Sequence, residues 1–119
     1  MWLSALLALA CTLGGCAPGD PAKQAEAIRS IAAEAALLAH DAGEEGSSTE
    51  TFVREHAEAL ERKLDEVRSV VDDQRLASVA ADVAGQLARL AESPGDQRAA
   101  KTSERELERA ARRAEELAK

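Results

Sequence analysis

The chain has 119 residues, of which 22 are acidic and 15 are basic, so its formal net charge is −7 at pH 7. This acidic balance argues against nucleic-acid binding, which relies on basic surface to meet the phosphates. The alanine-rich, aromatic-poor composition with two cysteines excludes a disulfide-rich scaffold and is typical of a small helical domain with a thin core.

The N-terminal stretch is apolar from Trp2 to Leu13 apart from two hydroxyl side chains, and the first charged side chain is Asp20. A run of this length is shorter than the roughly 20 apolar residues that span a bilayer, but it suits the apolar region of a signal peptide. No Lys or Arg precedes the run, whereas signal peptides normally begin with a basic segment. The alternative is an ordinary helix docked on the domain, which the Gly14-Gly15 pair disfavours.

The apolar run ends in Leu13-Gly14-Gly15-Cys16, which resembles the lipobox of bacterial lipoproteins. The resemblance implies that residues 1–15 are a lipoprotein signal peptide, that the chain is cut before Cys16, and that this cysteine is lipidated. Cys11 fits the pattern poorly, because Ala8 stands where leucine is expected.

The same resemblance implies a membrane address for the protein. Ala17 follows the cysteine, where some diderm bacteria place an aspartate that retains lipoproteins in the inner membrane. We therefore expect the outer membrane, facing the periplasm, in a diderm bacterium and the outer face of the cell membrane otherwise. Residues 16–20 then form a short tether between the lipid and a helical domain over residues 21–119.

Two helices are predicted in the first half of this domain. Asp20-Pro21 is an N-cap followed by proline at the first helical position, and Gly43 ends a helix over about 21–42. A second helix is predicted over about 50–71, with Ser48 or Thr49 as its cap. Apolar residues at spacings of three and four define the buried faces: Ile28, Ile31, Ala35, Leu38 and Ala42 in the first helix, and Val53, Ala57, Leu60, Leu64, Val67 and Val71 in the second.

After Val71 the mean direction of the apolar side chains around the helix axis changes by roughly 120°. One straight helix could not point both sets of apolar residues at a single core. We therefore predict a turn at Asp72-Asp73 and a third helix over about 74–92, ended by Ser93-Pro94-Gly95. A fourth helix is predicted over about 103–118, opening at Thr102 or Ser103, where Ser103 and Glu106 form a capping box. The expected buried residues are Leu76, Val79, Val83, Leu87 and Leu90 in the third helix, and Leu107, Ala110, Ala111, Ala114, Leu117 and Ala118 in the fourth.

These elements predict an all-α fold, a small antiparallel bundle of four helices arranged as two αα-hairpins. Because neither glycine nor proline lies at the predicted turn, three helices with one long helix over about 50–92 remain an alternative. Residues 30–36 resemble 78–84, and 60–62 resemble 107–109. Two copies of a helical hairpin would produce this similarity, and so would chance among alanine-rich amphipathic helices.

The sequence contains no nucleophile elbow, phosphate-binding glycine loop, zinc-protease helix or haem-attachment motif, so we expect neither enzymatic activity nor a cofactor. His40 and His56 are the only histidines and flank the loop of the first hairpin. Together with nearby carboxylates they form a candidate zinc or copper site. However, His40 points away from the apolar face of its helix, which favours two solvated surface histidines.

The fourth helix carries an outward basic stripe, formed by Arg98, Lys101, Arg105, Arg109 and Arg112 with Arg113 beside it. In an up-down-up-down bundle this helix ends on the side of the tether, where Arg112, Arg113 and Lys119 would face anionic headgroups. The simpler interpretation is a solvated face with weak ion pairs along the helix.

The final residue, Lys119, gives a second resemblance. Murein lipoproteins are short helical lipoproteins with a C-terminal lysine joined to peptidoglycan, and Cys16 and Lys119 resemble those two ends. The chain departs from that family in its helix-breaking loops, where the family has one uninterrupted heptad helix.

Taken together, these features predict a non-catalytic, membrane-anchored helical module of the bacterial envelope. We expect it to be held by its N-terminal lipid and to bind another envelope protein or itself, because a partner would stabilise a thinly cored fold. Metal binding through His40 and His56, and peptidoglycan linkage through Lys119, are the alternatives.

Overall fold

A computed structural model of the protein describes residues 20–44 and 48–119. Four helices make up this part of the chain: α1 (Pro21–Gly43), α2 (Glu50–Arg68), α3 (Gln74–Glu92) and α4 (Gln97–Ala118). Each helix packs against the next, and α4 returns to make the most extensive contact with α1. The predicted all-α bundle of four helices is confirmed. The predicted signal peptide over residues 1–15, Cys16 and the rest of the tether before Asp20 lie outside the described residues.

Each helix begins at a side chain that accepts hydrogen bonds from the first turn. The predicted caps Asp20 and Asp73 are confirmed, and Thr49 is the cap of α2. These side chains accept backbone N–H groups at 2.8 to 3.4 Å. Asp73 therefore begins α3 as a separate helix, and the alternative of one long helix over 50–92 is wrong. The turn before Asp73 lets the apolar faces of α2 and α3 both point at one core.

The predicted start of α4 at Ser103 is wrong by six residues. Asp96 caps the helix by accepting the N–H of Ala99 at 3.0 Å, directly after the Ser93-Pro94-Gly95 break. Ser103 lies inside the helix and is buried, and its hydroxyl donates to Oε1 of Gln86 at 2.9 Å. A capping box with Glu106 therefore does not form, since the serine side chain joins α4 to α3 instead.

The predicted end of α2 at residue 71 is also wrong, because the helix ends at Arg68. The Ser69 hydroxyl donates to the carbonyl of Glu66 at 2.7 Å, a local bond that competes with continued helix. The Val70 carbonyl accepts Nε2 of Gln24 from α1 at 3.0 Å. This contact between distant residues holds the turn between α2 and α3 against the start of α1.

The core is formed by one buried stripe from each helix. All five predicted apolar positions of α1 and all five of α3 are buried, while the seam of α2 is buried from Val53 to Leu64 and only partly beyond it. Small side chains let α1 and α4 approach closely, and a Cβ added at Gly43 would lie 3.0 Å from Cγ of Lys101. The largest fully buried side chains are Ile28, Leu60, Leu64, Leu76, Leu87 and Leu107.

The two ends of the bundle are defined by contacts between elements. The start of α1 meets the α2–α3 turn through Gln24, and antiparallel packing brings the end of α4 to the same side. We call this end, which includes Asp20 and Lys119, the tether end. At the opposite end Gly43 lies beside Lys101, and Gly95 lies beside the Glu50 side chain. The expected up-down-up-down arrangement is therefore confirmed.

Candidate functional site

Leu37 is the most exposed large apolar side chain in the described part of the protein, with 69% of its surface accessible. It stands in an open cleft of about 560 Å³ between α1 and α4. Small apolar side chains complete the floor of this cleft: Ala33, Ala36 and Ala111. Its polar rim is formed by His40, Glu104, Glu108 and Arg112. We call these eight residues the α1–α4 groove.

Charged side chains of both helices surround the groove. On α1, Glu34 and Asp41 are exposed and lie three and four residues from Leu37, so they share its face of the helix. On α4, the exposed cations Lys101, Arg105 and Arg112 share the outward side with the carboxylates of Glu104 and Glu108. An exposed apolar side chain with a charged rim is typical of a surface that recognises another protein.

His40 closes one end of the groove. Its Nδ1 lies 3.0 Å from Oε2 of Glu104, and its Nε2 lies 3.1 Å from Oε1 of Glu44. The hydrogen bond to Glu104 and the charges of Glu104 and Glu44 raise the pKa of His40 above its usual value. The two neighbouring carboxylates therefore favour the imidazolium form, in which both ring nitrogens carry a hydrogen.

The two histidines predicted as candidate metal ligands have separate partners. The exposed position expected for His40 is confirmed, with half of its side chain accessible, whereas its bond to Glu104 was not predicted. His56 instead packs against Phe52 on α2, with ring centroids 5.5 Å apart and an interplanar angle of 88°. Within residues 20–44 and 48–119, no group of three or more His, Cys, Asp or Glu residues is arranged to hold a metal ion.

The basic stripe of α4 is partly neutralised by neighbouring carboxylates. As the simpler interpretation predicted, an ion pair within the helix joins Arg109 to Glu106 at 3.3 Å, and Lys119, directly after the helix, pairs with Glu116 at 3.3 Å. Arg113 instead reaches Asp82 on α3 at 2.7 Å.

A second cleft, of about 520 Å³, opens between α3 and α4. Val79 and Leu117 form its apolar floor, and Arg75 and Arg113 stand on its rim. Both arginines already pair with aspartates, Arg75 with Asp73 and Arg113 with Asp82. The α1–α4 groove is therefore the stronger candidate, because it alone combines a cleft with a highly exposed leucine.

The sequence contained one signal for the groove that the prediction did not use. Leu37 precedes Leu38 directly, and adjacent residues on a helix point about 100° apart, so both cannot face the core. Leu38 is buried and Leu37 is exposed. The cysteine predicted as the lipidation site, Cys16, lies outside the described residues.

In the described ranges, every buried side-chain nitrogen and oxygen has a hydrogen-bond partner. Across the same ranges, none of the helices combines the length and the apolar character needed to cross a membrane. The chain matches no protein-family model, no curated protein and no solved structure.

Proposed function

We propose that the protein is a non-catalytic bacterial lipoprotein whose helical bundle is anchored to an envelope membrane through Cys16 and binds another protein. The observation that carries the proposal is Leu13-Gly14-Gly15-Cys16 at the end of an uncharged apolar run. The α1–α4 groove supports the interaction role, because it exposes Leu37 in a cleft with a charged rim.

The anchor restricts where a partner can bind. The four residues between Cys16 and α1 reach at most about 14 Å, so the tether end of the bundle stays near the membrane. With a rise of 1.5 Å per residue, Leu37 lies about 25 Å along α1 from Asp20. A partner of the groove must therefore reach a site that lies within about 40 Å of the lipid.

Neither alternative is favoured by a specific observation. The separate partners of His40 and His56 give metal binding no support. Lys119 lies at the tether end and pairs with Glu116, whereas linkage to a distant cell wall is better served by a lysine far from the lipid.

Cell fractionation of two cysteine variants in a bacterial host tests the proposal. Cys16→Ser removes the thiol that carries the lipid, whereas Cys11→Ser removes the neighbouring cysteine and is the matched control. We expect the wild-type protein and the Cys11→Ser variant in the membrane fraction, and the mature-sized product to be lost in Cys16→Ser. Equal membrane retention and processing of all three proteins would refute the lipid anchor.

A further inference from the structure

We propose that the last turn of α1 is a proton-dependent clamp, in which protonated His40 holds the Glu44 side chain against the end of the helix and the neutral ring releases it. Neither the lipid on Cys16 nor a partner protein is needed for this clamp, so it goes beyond the proposed function. Three features of the helix end carry it: the charges of the last turn, the two contacts of the imidazole ring, and the exposure of the two carboxylates that the ring contacts.

The last turn of α1 places two carboxylates at the negative end of the helix. Asp41 lies in this turn and Glu44 follows the helix directly, whereas His40 is the only basic residue of the turn. The helix dipole disfavours carboxylates at the C-terminal end of a helix and favours a cation there. Loss of the His40 proton therefore removes the only positive charge of the turn and leaves both carboxylates in place.

The two contacts of the His40 ring depend on its proton. Nδ1 lies 3.0 Å from Oε2 of Glu104, and Nε2 lies 3.1 Å from Oε1 of Glu44. A neutral imidazole carries a hydrogen on one ring nitrogen and a lone pair on the other. In either tautomer that lone pair would face a carboxylate oxygen at hydrogen-bonding distance, so one of the two contacts breaks when the proton leaves.

Glu44 is the carboxylate that the neutral ring releases. Its side chain is 57% accessible and that of Glu104 is 24% accessible, so water replaces a lost bond more completely at Glu44. The neutral ring therefore keeps its hydrogen on Nδ1 and its bond to Glu104. The backbone bond from the Glu44 N–H to the carbonyl of Asp41, at 3.2 Å, is then left to close the last turn without help from the side chain.

Charged groups of both α1 and α4 face the His40 ring. They are Asp41, Glu44, Lys101, Glu104, Arg105 and Glu108. The two cations of this set, Lys101 and Arg105, belong to α4. In residues 20–44 and 48–119, no ion pair joins either cation to Asp41 or Glu44. The histidine is therefore the only group that neutralises the end of α1 by direct contact.

Carbon-detected NMR of the full protein as a function of pH tests the clamp. We expect the helical Cα chemical shifts of Asp41, Ala42 and Gly43 to decline between roughly pH 6 and pH 9, with the same midpoint as the His40 ring. Loss of one favourable charge at a helix end predicts a rise of about two- to fivefold in the ratio of frayed to helical last turn. Above the midpoint, the ring nitrogen shifts should report a hydrogen on Nδ1.

Two substitutions of His40 separate the effect of its charge from that of pH itself. His40→Lys keeps a cation in the last turn, which should stay helical at both pH values, whereas His40→Gln has no charge and should be frayed at both. His56→Gln is the matched control, because His56 is the other histidine and packs against Phe52 on α2. It should leave the pH response of α1 unchanged. Circular dichroism checks that every variant keeps its overall helix content.

Three results would overturn the inference: a last turn of α1 with the same Cα shifts at both pH values, a pH response that persists in His40→Gln, or a neutral His40 ring with its hydrogen on Nε2. A last turn that stays helical because released Glu44 pairs with Lys101 belongs to the first of these. The third result would mean that the ring keeps Glu44 and releases Glu104 instead.

Discussion

His40 and Glu104 join the end of α1 to α4, with Nδ1 of the histidine 3.0 Å from Oε2 of the glutamate. These residues are separated by 64 positions in the chain. The second ring nitrogen reaches Glu44, which follows directly after α1, at 3.1 Å. The His40 side chain thus connects both α4 and the start of the α1–α2 loop to the end of α1.

This contact predicts that His40 stays protonated to a higher pH than an ordinary histidine does. The pKa of His40 is raised, chiefly by its hydrogen bond to Glu104, so we expect its NMR titration midpoint to lie above about 6.5. The variant Glu104→Gln should lower that midpoint, because it removes the acceptor's charge. An identical midpoint in the variant and the wild type would contradict the assignment. The charged groups that face His40 are Asp41, Glu44, Lys101, Glu104, Arg105 and Glu108.

The same shift predicts how stability depends on pH. Because the pKa of His40 is raised by folding, its stabilising contribution is fully present below the unfolded pKa and is lost as the pH rises through the folded pKa. The variant His40→Gln should therefore unfold more easily than the wild type at roughly pH 6, and the two should converge at roughly pH 9. Urea midpoints measured at both pH values check this. A difference that grows with pH would have the wrong sign.

Two leucines on the facing helices should differ in their importance for folding. Leu107 is fully buried, whereas Leu37, level with it on α1, is 69% exposed. Leu107→Ala should lower the free energy of unfolding by about 2–5 kcal/mol, since it leaves a cavity in the core. Leu37→Ala should change it by less than about 0.5 kcal/mol. Urea unfolding at a concentration where the protein is monomeric separates these values, and a large loss in Leu37→Ala would mean that Leu37 serves the fold instead of an interface.

Gly85 offers a stabilising change on the exposed side of α3. It lies inside the helix, and a Cβ added there has no atom within 4 Å. Gly85→Ala should therefore raise the free energy of unfolding by about 0.5–1 kcal/mol, because alanine restricts the unfolded chain and favours helix. Thermal unfolding checks the increase, and a lower midpoint than the wild type would show that the position needs glycine.

The sequence predicted the helices well where the determinants were local. Helix capping and apolar periodicity depend on residues within one or two turns of each other. The predicted caps Asp20 and Asp73 and the predicted buried faces of α1 and α3 are confirmed. The start of α4 was misplaced because the prediction put the cap at Ser103, whereas Asp96 caps the helix. Ser103 matched a capping box by pattern, but its burial against Gln86 depends on a contact between helices.

The candidate site was harder to predict for the same physical reason. The partner of His40 lies on another helix, and its identity follows only from the packing of α1 against α4. Leu37 could be recognised as a leucine off the core face, but the groove beside it forms only when Ala111 approaches Ala33 and Ala36. Interhelical register, which a single sequence does not specify, decides both.

The proposed lipid on Cys16 can be measured in the intact mass of the protein isolated from bacterial membranes. We expect a chain that begins at Cys16, lacks residues 1–15, and carries the added mass of a diacylglyceryl group on that cysteine, with or without an acyl chain on its amine. A membrane-isolated chain that retains residues 1–15 with an unmodified Cys16 would contradict it.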